Sequence, residues 1–535
     1  MTESPYFSNA NRRFTEILSR VDQEPFSRTF GCGDRNYWGW KFVDFSGARF
    51  QEFLFSVAWM KTSKSANAGW RDCGSLEQTL SAGFGWWRRI QYGDGSFDEA
   101  YPYERSFAAT AFTLFYLSEA FALVRGAVGC ERENLDAMER AANWLCRNEE
   151  SHGMLSNHIA AAAAAMWNCA ELLDSEVYRS RANQFVERIL SRQSPEGWYE
   201  EYGGPDIGYQ THCSFYLARV WQKNRDSRLL GSLKSANAFL SHFIHPDHSV
   251  GGEYSSRGTK FYFPAAYEIL WDECESARSI AEFQRKGIAE SKGVGIWQMD
   301  EYNLYPMLNN YLFAEDALRA RQSKNLPVIL LPWQQEKEYV FEQAGLVVDS
   351  RKSHFAVFGL GSGGVVRIWD KRTRILAFQN VGYAKKIGTQ WLSTRAPSKW
   401  RRITNGWYVE NNPVRINQKV FSPLLFLCFR SFNMSLGRYP FFAKWIKRLL
   451  VRALVSRKKT IKTTFSREII WSAEDVLTMR DQGKGILRGS LLLDRFLPFH
   501  MGSSRYIDEG EEINRPLPFD PIESDAKETM IRLSR

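Results

Sequence analysis

The clearest pattern in the chain is a slow alternation, over residues 1–325, between turns and apolar segments. A turn built on glycine with an aromatic or acidic neighbour recurs about every 51 residues, and each turn leads into an apolar run. The turns are Trp38-Gly39-Trp40, Gly95-Ser96-Phe97-Asp98-Glu99, Gly153-Met154, Gly197-Trp198-Tyr199-Glu200-Glu201, Gly251-Gly252-Glu253-Tyr254 and Gly295-Ile296-Trp297. Because this repeat length accommodates two helices, the pattern predicts a ring of helical hairpins, an (α/α)6-type toroid.

The apolar runs predict inner helices, and the amphipathic runs between them predict outer helices. The predicted inner helices are Ser106–Val124, Asn157–Leu173, Thr211–Val220 and Pro264–Trp271, and the predicted outer helices include Asn134–Arg147 and Glu176–Ser191. If the inner helices begin at a common end of the ring, the turns before them line one cleft. Carbohydrate-active enzymes commonly use this architecture.

Beyond Pro327 the pattern changes to short runs with strand character. These runs are Tyr339–Phe341, Gly345–Val348, His354–Phe358 and Val365–Trp369. They are rich in β-branched and aromatic residues, and a glycine-rich turn separates two of them. The chain is therefore expected to be an α+β multidomain protein, with the toroid over residues 1–325 and an antiparallel β-sandwich over residues 326–508. The polar, proline-bearing stretch 509–535 predicts a flexible tail.

An apolar and basic insertion near residues 421–462 interrupts the predicted sandwich. Pro440 is suited to the start of a helix, in which Phe441, Trp445 and Leu449 would share a stripe beside lysine and arginine residues. This pattern is typical of a helix that lies on a membrane surface. It does not predict a spanning helix, because no uncharged stretch approaches about 20 residues. The alternative is a helix packed on its own domain with a basic outer face.

Composition narrows the possible partners. The formal net charge of +10 favours an acidic glycan, a nucleic acid or a membrane surface, or serves solubility alone. No recognisable nucleic-acid-binding module accompanies the charge, so a nucleic-acid partner is not expected. The eight cysteines form no C-x-x-C pair and no zinc spacing, which predicts reduced thiols. Met1–Pro5 lacks the basic and apolar regions of a secretory signal, which predicts a cytoplasmic protein, peripheral at the inner face of the membrane if the insertion binds there.

Candidate chemistry clusters at the predicted turns. Asn157 and His158 open one inner helix, and Glu200 and Glu201 precede another. The further candidates for substrate binding or proton transfer are Tyr209, His212, Tyr103 and Arg105. Asn can hydrogen-bond a carboxylate, and His and Tyr can exchange protons, a set suited to removing an acidic C–H beside a uronate carboxyl. Each residue also has a structural alternative: an N-cap for Asn157, and a core position for His158 or Tyr209.

Two segments resemble the heparinase II/III-like polysaccharide lyases. Gly153–His158, followed by a helix of small residues, is similar to the Asn-His segment of that family, and Gly197–Glu201 leading to Tyr209 is similar to its Gly-x-x-x-Glu segment. The resemblance implies a helical toroid followed by a β-sandwich. It further implies that Tyr209 acts as acid or base, that His158 assists as base and that Asn157 neutralises the uronate carboxyl.

Some members of that family supply a further His from the β domain, which points to His354 in this sequence. The His-x-His-x-Asp metal segment of the family is not matched, because Phe355-Ala356-Val357 follows His354. No metal and no cofactor are therefore expected.

The resulting hypothesis is an enzyme that abstracts the C5 proton of a uronic acid within an acidic polysaccharide or oligosaccharide. Expulsion of the 4-linked sugar would make it a lyase, and reprotonation from the opposite face a C5-epimerase. The lack of a secretory signal favours a role in surface or exopolysaccharide synthesis or processing. One alternative is a glycoside hydrolase that pairs Asp98 or Glu99 with Glu200, Glu201 or Asp206. Another is a non-catalytic glycan-binding or assembly factor at the membrane.

Overall fold

The N-terminal part of the chain is helical. The computed structural model describes residues 3–151, 153–321, 326–416, 420–451, 460–473, 475–494, 506 and 522–533. The helices of this part are α1 Pro5–Ser19, α2 Arg35–Trp40, α3 Phe53–Thr62, α4 Ala68–Arg71, α5 Gly74–Ile90, α6 Phe107–Val124, α7 Glu131–Arg147, α8 Ser156–Leu172, α9 Glu176–Leu190, α10 Ile207–Asn224, α11 Ser227–Ser241, α12 Ala265–Ile269, α13 Glu275–Ala289 and α14 Glu301–Arg319. The inner helices predicted from apolar runs and the outer helices predicted from amphipathic runs are present.

The inner helices close into a ring. α3, α6, α8, α10, α12 and α14 pack side by side in this order, and α14 packs against α3. The outer helices α5, α7, α9, α11, α13 and α1 surround them. An inner helix is buried on all sides, as in α6 and in the alanine run Ala160–Ala165 of α8, so it has no polar stripe. The predicted (α/α) toroid is thus confirmed within the described residues.

Glycine in the recurring turns has a packing cause. Gly95 and Gly197 have positive φ angles of 97° and 101°. A Cβ on Gly95 would lie 2.1 Å from the carbonyl oxygen of Arg140 in α7, and one on Gly197 would lie 2.3 Å from that of Ser235 in α11. These two turns therefore rest directly on the backbone of the next outer helix, which only glycine permits. The predicted turn at Gly39 is wrong, because this residue lies inside α2.

The C-terminal part is built from antiparallel strands. A short hairpin of β1 Glu200–Glu201 and β2 Gly204–Pro205 belongs to the toroid, and the later strands are β3 Lys337–Phe341, β4 Leu346–Ser350, β5 His354–Gly359, β6 Val365–Asp370, β7 Ile375–Asn380, β8 Gly382–Ile387, β9 Gln390–Ser393, β10 Lys399–Ile403, β11 Gly406–Asn411, β12 Val414–Arg415, β13 Phe465–Ala473, β14 Val476–Gln482, β15 Leu491–Leu493 and β16 Ala526–Arg532. Their sheets have the orders β3-β4-β5-β6-β7, β10-β11-β13-β14-β16 and β12-β9-β8-β15. Apolar side chains from β4, β5 and β6 pack against those from β11, β13 and β14, which forms a sandwich core.

One part of the predicted tail belongs to the sandwich. Ala526–Arg532 pairs antiparallel with β14 along its whole length, so the prediction of a flexible tail is wrong for this segment. Its residues alternate between exposed and half-buried, which explains why the sequence shows no apolar strand face there. Residues 509–521 lie outside the described part of the chain.

The toroid and the sandwich share a core. The indole Nε1 of Trp369 in β6 donates to Asp247 Oδ2 over 2.6 Å. The guanidinium of Arg395 donates to the backbone oxygens of Glu253 and Ser255 over 2.6 to 3.2 Å. Apolar side chains of both parts also belong to one continuous cluster, so the two parts pack as one body.

The insertion forms two helices, α15 Pro423–Met434 and α16 Pro440–Val451, between β12 and β13. Pro440 begins α16, as predicted. The inner face of the insertion contacts the toroid. Its residues 452–459 lie outside the described residues. Within the described chain, α6 alone is long and apolar enough to cross a membrane, and it is an inner helix of the toroid that is 83% buried.

Candidate active site

A cavity of about 270 Å³ lies where the inner helices of the toroid begin. Its walls come from the first turns of α8, α10 and α14, from the segment before α3 and from one side of α6. It is lined by Arg49, Glu99, Phe112, Leu155, Asn157, His158, Tyr202, Tyr209, His212, Phe261, Phe263, Asn303 and Pro306. The structure thus brings the predicted residues Asn157, His158, Tyr209 and His212 to a single cavity.

Asn157 is held by a buried carboxyl group. Its backbone N–H and its side-chain Nδ2 both donate to Glu201 Oε1, over 2.6 and 3.0 Å. Glu201 is fully buried in β1, and this burial raises its pKa to about 8. Glu201 is therefore mostly neutral at pH 7 and orients the Asn157 amide from behind. Glu201 does not line the cavity, so the prediction that it binds substrate is wrong. It positions Asn157 instead.

His158 is held by Glu150, which the sequence analysis did not identify. Nδ1 of His158 lies 2.7 Å from Glu150 Oε2, and the carboxylate is buried. When Nδ1–H donates to this carboxylate, Nε2 keeps its lone pair and can accept a proton. The edge-to-face contact with Phe112, whose ring centroid is 5.4 Å away, further restricts the imidazole ring. Glu150 lies in a loop eight residues before His158, and no helical spacing connects the two residues.

Tyr209 and His212 project from the start of α10. The Asp206 side chain caps this helix by accepting from the backbone N–H of Tyr209, and the Tyr209 ring packs edge-on against Phe261. The His212 ring is stacked on Phe263 at 4.2 Å and contacts Tyr216 Oη through Nε2 at 3.0 Å. Burial lowers the pKa of His212 well below its usual value. His212 is therefore a neutral wall of the cavity, whereas the half-buried Tyr209 is the better placed of the two for proton transfer.

Arg49 supplies a fixed positive charge that the sequence analysis missed. Its Nε lies 2.8 Å from Glu52 Oε1, and its Nη1 lies 3.5 Å from Glu99 Oε1. Burial lowers its pKa, but the charges of Glu52 and Glu99 outweigh that effect and raise the pKa of Arg49 above its usual value. Arg49 is therefore charged at every physiological pH, and its guanidinium is a suitable ligand for a carboxylate. It precedes α3 without any local motif.

The structure places several other predicted residues away from the cavity. Arg105 pairs with Asp94 over 3.0 Å and donates to the backbone oxygen of Arg438 over 2.9 Å, so it faces the insertion. Tyr103 stacks near Tyr92 and also lies beside the insertion. The prediction that Tyr103 and Arg105 bind substrate is therefore wrong. Both residues lie where the toroid contacts the insertion.

Glu200 and His354 also do not line the cavity. Glu200 lies in β1, where its backbone oxygen accepts from Ser156 Oγ over 2.8 Å. His354 stacks on Trp471 inside the sandwich at 4.7 Å, and burial lowers its pKa to about 4. The prediction of a second His supplied by the β domain is therefore not met by His354. A larger cavity of about 360 Å³ borders Trp471 on the sandwich, but it includes none of the predicted residues.

In the described ranges, no group of three or more His, Cys, Asp and Glu side chains is arranged to hold a metal ion. All eight cysteines lie within these ranges, and each is a free thiol.

The closed helical ring, the shared core with an antiparallel sandwich and the cavity at the start of the inner helices define a toroid-and-sandwich protein with a polysaccharide lyase-like fold. No protein-family model matches the chain, and no curated protein matches it in sequence. Among solved structures, a mutant of the chondroitin AC lyase of Streptomyces coelicolor matches with a TM-score of 0.51 and 11% identity, covering 91% of this chain and 67% of the other. At this identity the similarity concerns the fold alone.

Two further solved structures match less closely. A heparinase III matches with a TM-score of 0.45 and 10% identity, over 91% of this chain and 71% of the other. An unsaturated glucuronyl hydrolase of Streptococcus agalactiae matches with a TM-score of 0.39 and 13% identity, over 60% of this chain and 92% of the other. The fold that the Asn-His and Gly-x-x-x-Glu segments imply is confirmed by the helical ring, the sandwich and the match with the chondroitin AC lyase structure.

Proposed function

We propose that this protein is an enzyme that processes an acidic polysaccharide by removing the C5 proton of a uronic acid. The observation that supports the proposal is the convergence of Asn157, His158, Tyr209 and the charged Arg49 on one cavity. The chondroitin AC lyase of similar fold acts, by its name, on chondroitin, and this supports a polysaccharide as the substrate.

The proposed reaction begins with binding of the uronate carboxylate between Arg49 and the Asn157 amide. Their positive charge and donor groups stabilise the enolate that forms when C5 loses its proton. Nε2 of His158 accepts that proton, while Glu150 stabilises the resulting imidazolium. In elimination, the electron pair at C5 forms the C4–C5 double bond, the C4–O bond breaks, and Tyr209 donates its proton to the leaving oxygen. In epimerisation, Tyr209 instead reprotonates C5 from the opposite face.

The glycoside hydrolase alternative is supported less well. A hydrolase of this type needs two carboxyl groups facing the glycosidic bond. Among the described residues that line the cavity, Glu99 is the only carboxylate. Asp98 accepts from Tyr92, Tyr103 and Arg105, and Asp206 accepts from Ser255 and Thr259, so both serve as structural groups.

The test is an assay of the purified protein on a panel of uronate polymers. Elimination is detected by the ultraviolet absorbance of the unsaturated product, and epimerisation by incorporation of solvent deuterium at C5 without absorbance. Tyr209→Phe removes the proton-transfer group while keeping the ring, so the rate should fall by roughly 10²- to 10⁴-fold.

The matched control is Tyr408→Phe on β11, which removes a hydroxyl group that donates to Glu410 far from the cavity. It should keep the wild-type rate. If the wild type produces neither signal on any polymer, or if Tyr209→Phe retains full activity, the proposed reaction is wrong.

A further inference from the structure

The insertion has one face committed to the toroid. Arg430 of α15 pairs with Asp44 over 3.2 Å, and Lys447 of α16 pairs with Glu104 over 3.4 Å. Ala443 and Lys447, one turn apart on α16, are nearly inaccessible. The contacts of Ala443 and Lys447 fix the rotation of α16 about its axis, so the side chains on its opposite face point away from the protein.

The opposite face of α16 and most of α15 are apolar and exposed. On α16, Phe441, Trp445 and Leu449 follow one another at intervals of four residues and form a stripe opposite Ala443. On α15, Leu424 and Leu427 are exposed as well. The exposed fractions are 73% for Phe441, 51% for Trp445, 47% for Leu449, 72% for Leu424 and 61% for Leu427. Large apolar side chains at this exposure are costly in water when they are grouped, and such groups mark interaction sites.

The toroid contributes to the same surface. Trp40 and Phe42 are 71% and 93% exposed, and they lie within four residues of Asp44, the partner of Arg430. We use the term apolar docking surface for Trp40, Phe42, Leu424, Leu427, Phe441, Trp445 and Leu449. The surface therefore combines side chains from two parts of the chain that meet only in the folded protein.

The positive charge around this surface indicates what kind of partner it binds. The described residues 420–451 contain five lysine and arginine residues and no aspartate or glutamate. Lys444 and Arg448 are exposed beside the stripe of α16. A symmetric dimer through this surface would bring the basic helices of two copies together, which is unfavourable. Apolar side chains that project between basic ones instead match a bilayer with anionic headgroups.

We propose that the apolar docking surface binds the protein peripherally to an anionic phospholipid bilayer. Trp445, Phe441 and Phe42 enter the headgroup region, while Arg448 contacts lipid phosphates. This surface is distinct from the cavity. The membrane proposal therefore does not depend on the proposed reaction. The two sites are nevertheless neighbours, because segment 98–105 contributes Glu99 to the cavity and Glu104 to the contact with Lys447.

The experiment is vesicle flotation of the full-length protein with phosphatidylcholine vesicles that contain or lack phosphatidylglycerol. The wild type should float with the anionic vesicles at low salt. Binding should be about tenfold weaker on pure phosphatidylcholine, and weaker at high salt, because screening shortens the range of the attraction. The double variant Trp445→Glu, Leu449→Glu should lose at least about tenfold in bound fraction, since it removes two inserting side chains and adds two negative charges.

The control adds the same two charges elsewhere. Val177 on α9 and Ile375 on β7 are also exposed apolar residues, at 67% and 58%, but they lie outside the surface. Val177→Glu, Ile375→Glu should float like the wild type, and circular dichroism should show that both variants are folded. The proposal is overturned if the wild type stays unbound on anionic vesicles, if the two double variants lose binding equally, or if light scattering shows a dimer that Trp445→Glu, Leu449→Glu dissociates.

Discussion

Buried carboxyl groups hold the side chains that face the cavity. Glu201 holds Asn157 and Glu150 holds His158, and neither carboxyl group lines the cavity itself. The Glu201 group gives rise to a measurable effect, because burial raises its pKa from a usual value of 4.5 to about 8. A group of this kind links the stability of the fold to pH.

The sign follows from proton binding. Between pH 4.5 and 8, Glu201 keeps its proton in the folded protein and loses it in the unfolded chain, so the stability contributed by this group falls as pH rises through that window. The effect amounts to a few kcal/mol, since each pKa unit corresponds to about 1.4 kcal/mol. Glu201→Gln has no such proton. We therefore expect the melting temperature of Glu201→Gln, relative to that of the wild type, to rise from pH 5 to pH 8. Above this range the difference should stay constant.

Differential scanning fluorimetry across this pH range measures the effect. Glu200→Gln is the control, because Glu200 is the neighbouring residue in β1 and is not fully buried. The melting temperature of Glu201→Gln should rise relative to that of this control from pH 5 to pH 8. A difference between the two variants that does not change with pH would contradict the assignment of a neutral, buried carboxyl group.

At this scale the sequence predicted the residues that follow a local pattern. Asn157, His158, Tyr209 and His212 each begin an inner helix after a recurring turn, so their position along the repeat placed them at one end of the ring. Arg49 was not predicted because it reaches the cavity from a short 3₁₀ helix, Ala48–Glu52, that lies outside the recurring turns. The partners Glu150 and Glu201 depend on distances across the fold, which no spacing in the sequence encodes. The roles of the four residues in proton transfer or substrate binding stay predictions.

Among the elements, the turns that join the hairpins differ in how closely their backbone approaches an outer helix. Gly197 and Gly153 have similar positive φ angles, 101° and 113°. A Cβ on Gly197 would lie 2.3 Å from Ser235 O, whereas one on Gly153 would meet nothing within 4 Å. We expect Gly153→Ala to cost only the strain of the left-handed backbone, about 1–2 kcal/mol. Gly197→Ala should cost roughly 1–3 kcal/mol more, because α11 must also shift.

Urea unfolding of the two variants measures this difference in the free energy of unfolding. Since both variants change glycine to alanine at positive φ, the effect on the unfolded chain is the same and cancels. Equal losses for the two variants would mean that the turn at Gly197 does not rest on α11.

The ends of a helix could be predicted from the sequence where the helix is buried along its whole length. The fully apolar run of α6 and the alanine run of α8 matched the predicted helices within one residue. The strand β16 was missed because it has no buried face and is held by its backbone pairing with β14. The helix α15 was missed because its apolar residues lie on both faces, so it shows no amphipathic stripe.

For the whole molecule, the shared core predicts a single unfolding transition. Toroid and sandwich meet through one apolar cluster and through Arg395, which is buried and donates to two backbone oxygens of the toroid. Arg395→Met leaves those oxygens without this donor, so it should destabilise the protein by roughly 2–4 kcal/mol and shift the entire transition to lower temperature.

Scanning calorimetry tests this expectation. Calorimetric and van't Hoff enthalpies should agree for the wild type and for Arg395→Met. Arg401→Met, on the exposed face of β10, is the control and should leave the melting temperature nearly unchanged. Two separate transitions, of which only one responds to Arg395→Met, would contradict a shared core.

The closure of the inner ring from α14 back to α3 has a consequence for how such a protein can change over evolutionary time. An open solenoid can gain or lose a repeat at either end, and its terminal repeats need polar caps. A closed ring has no terminal repeat, and adding one hairpin would change the angle at which every other hairpin meets its neighbours. The hairpin number is therefore locked by geometry. New features can therefore arise only at the ends and the outside of the ring. Examples are longer loops, altered side chains at the helix starts and accessory segments that pack on the outer surface.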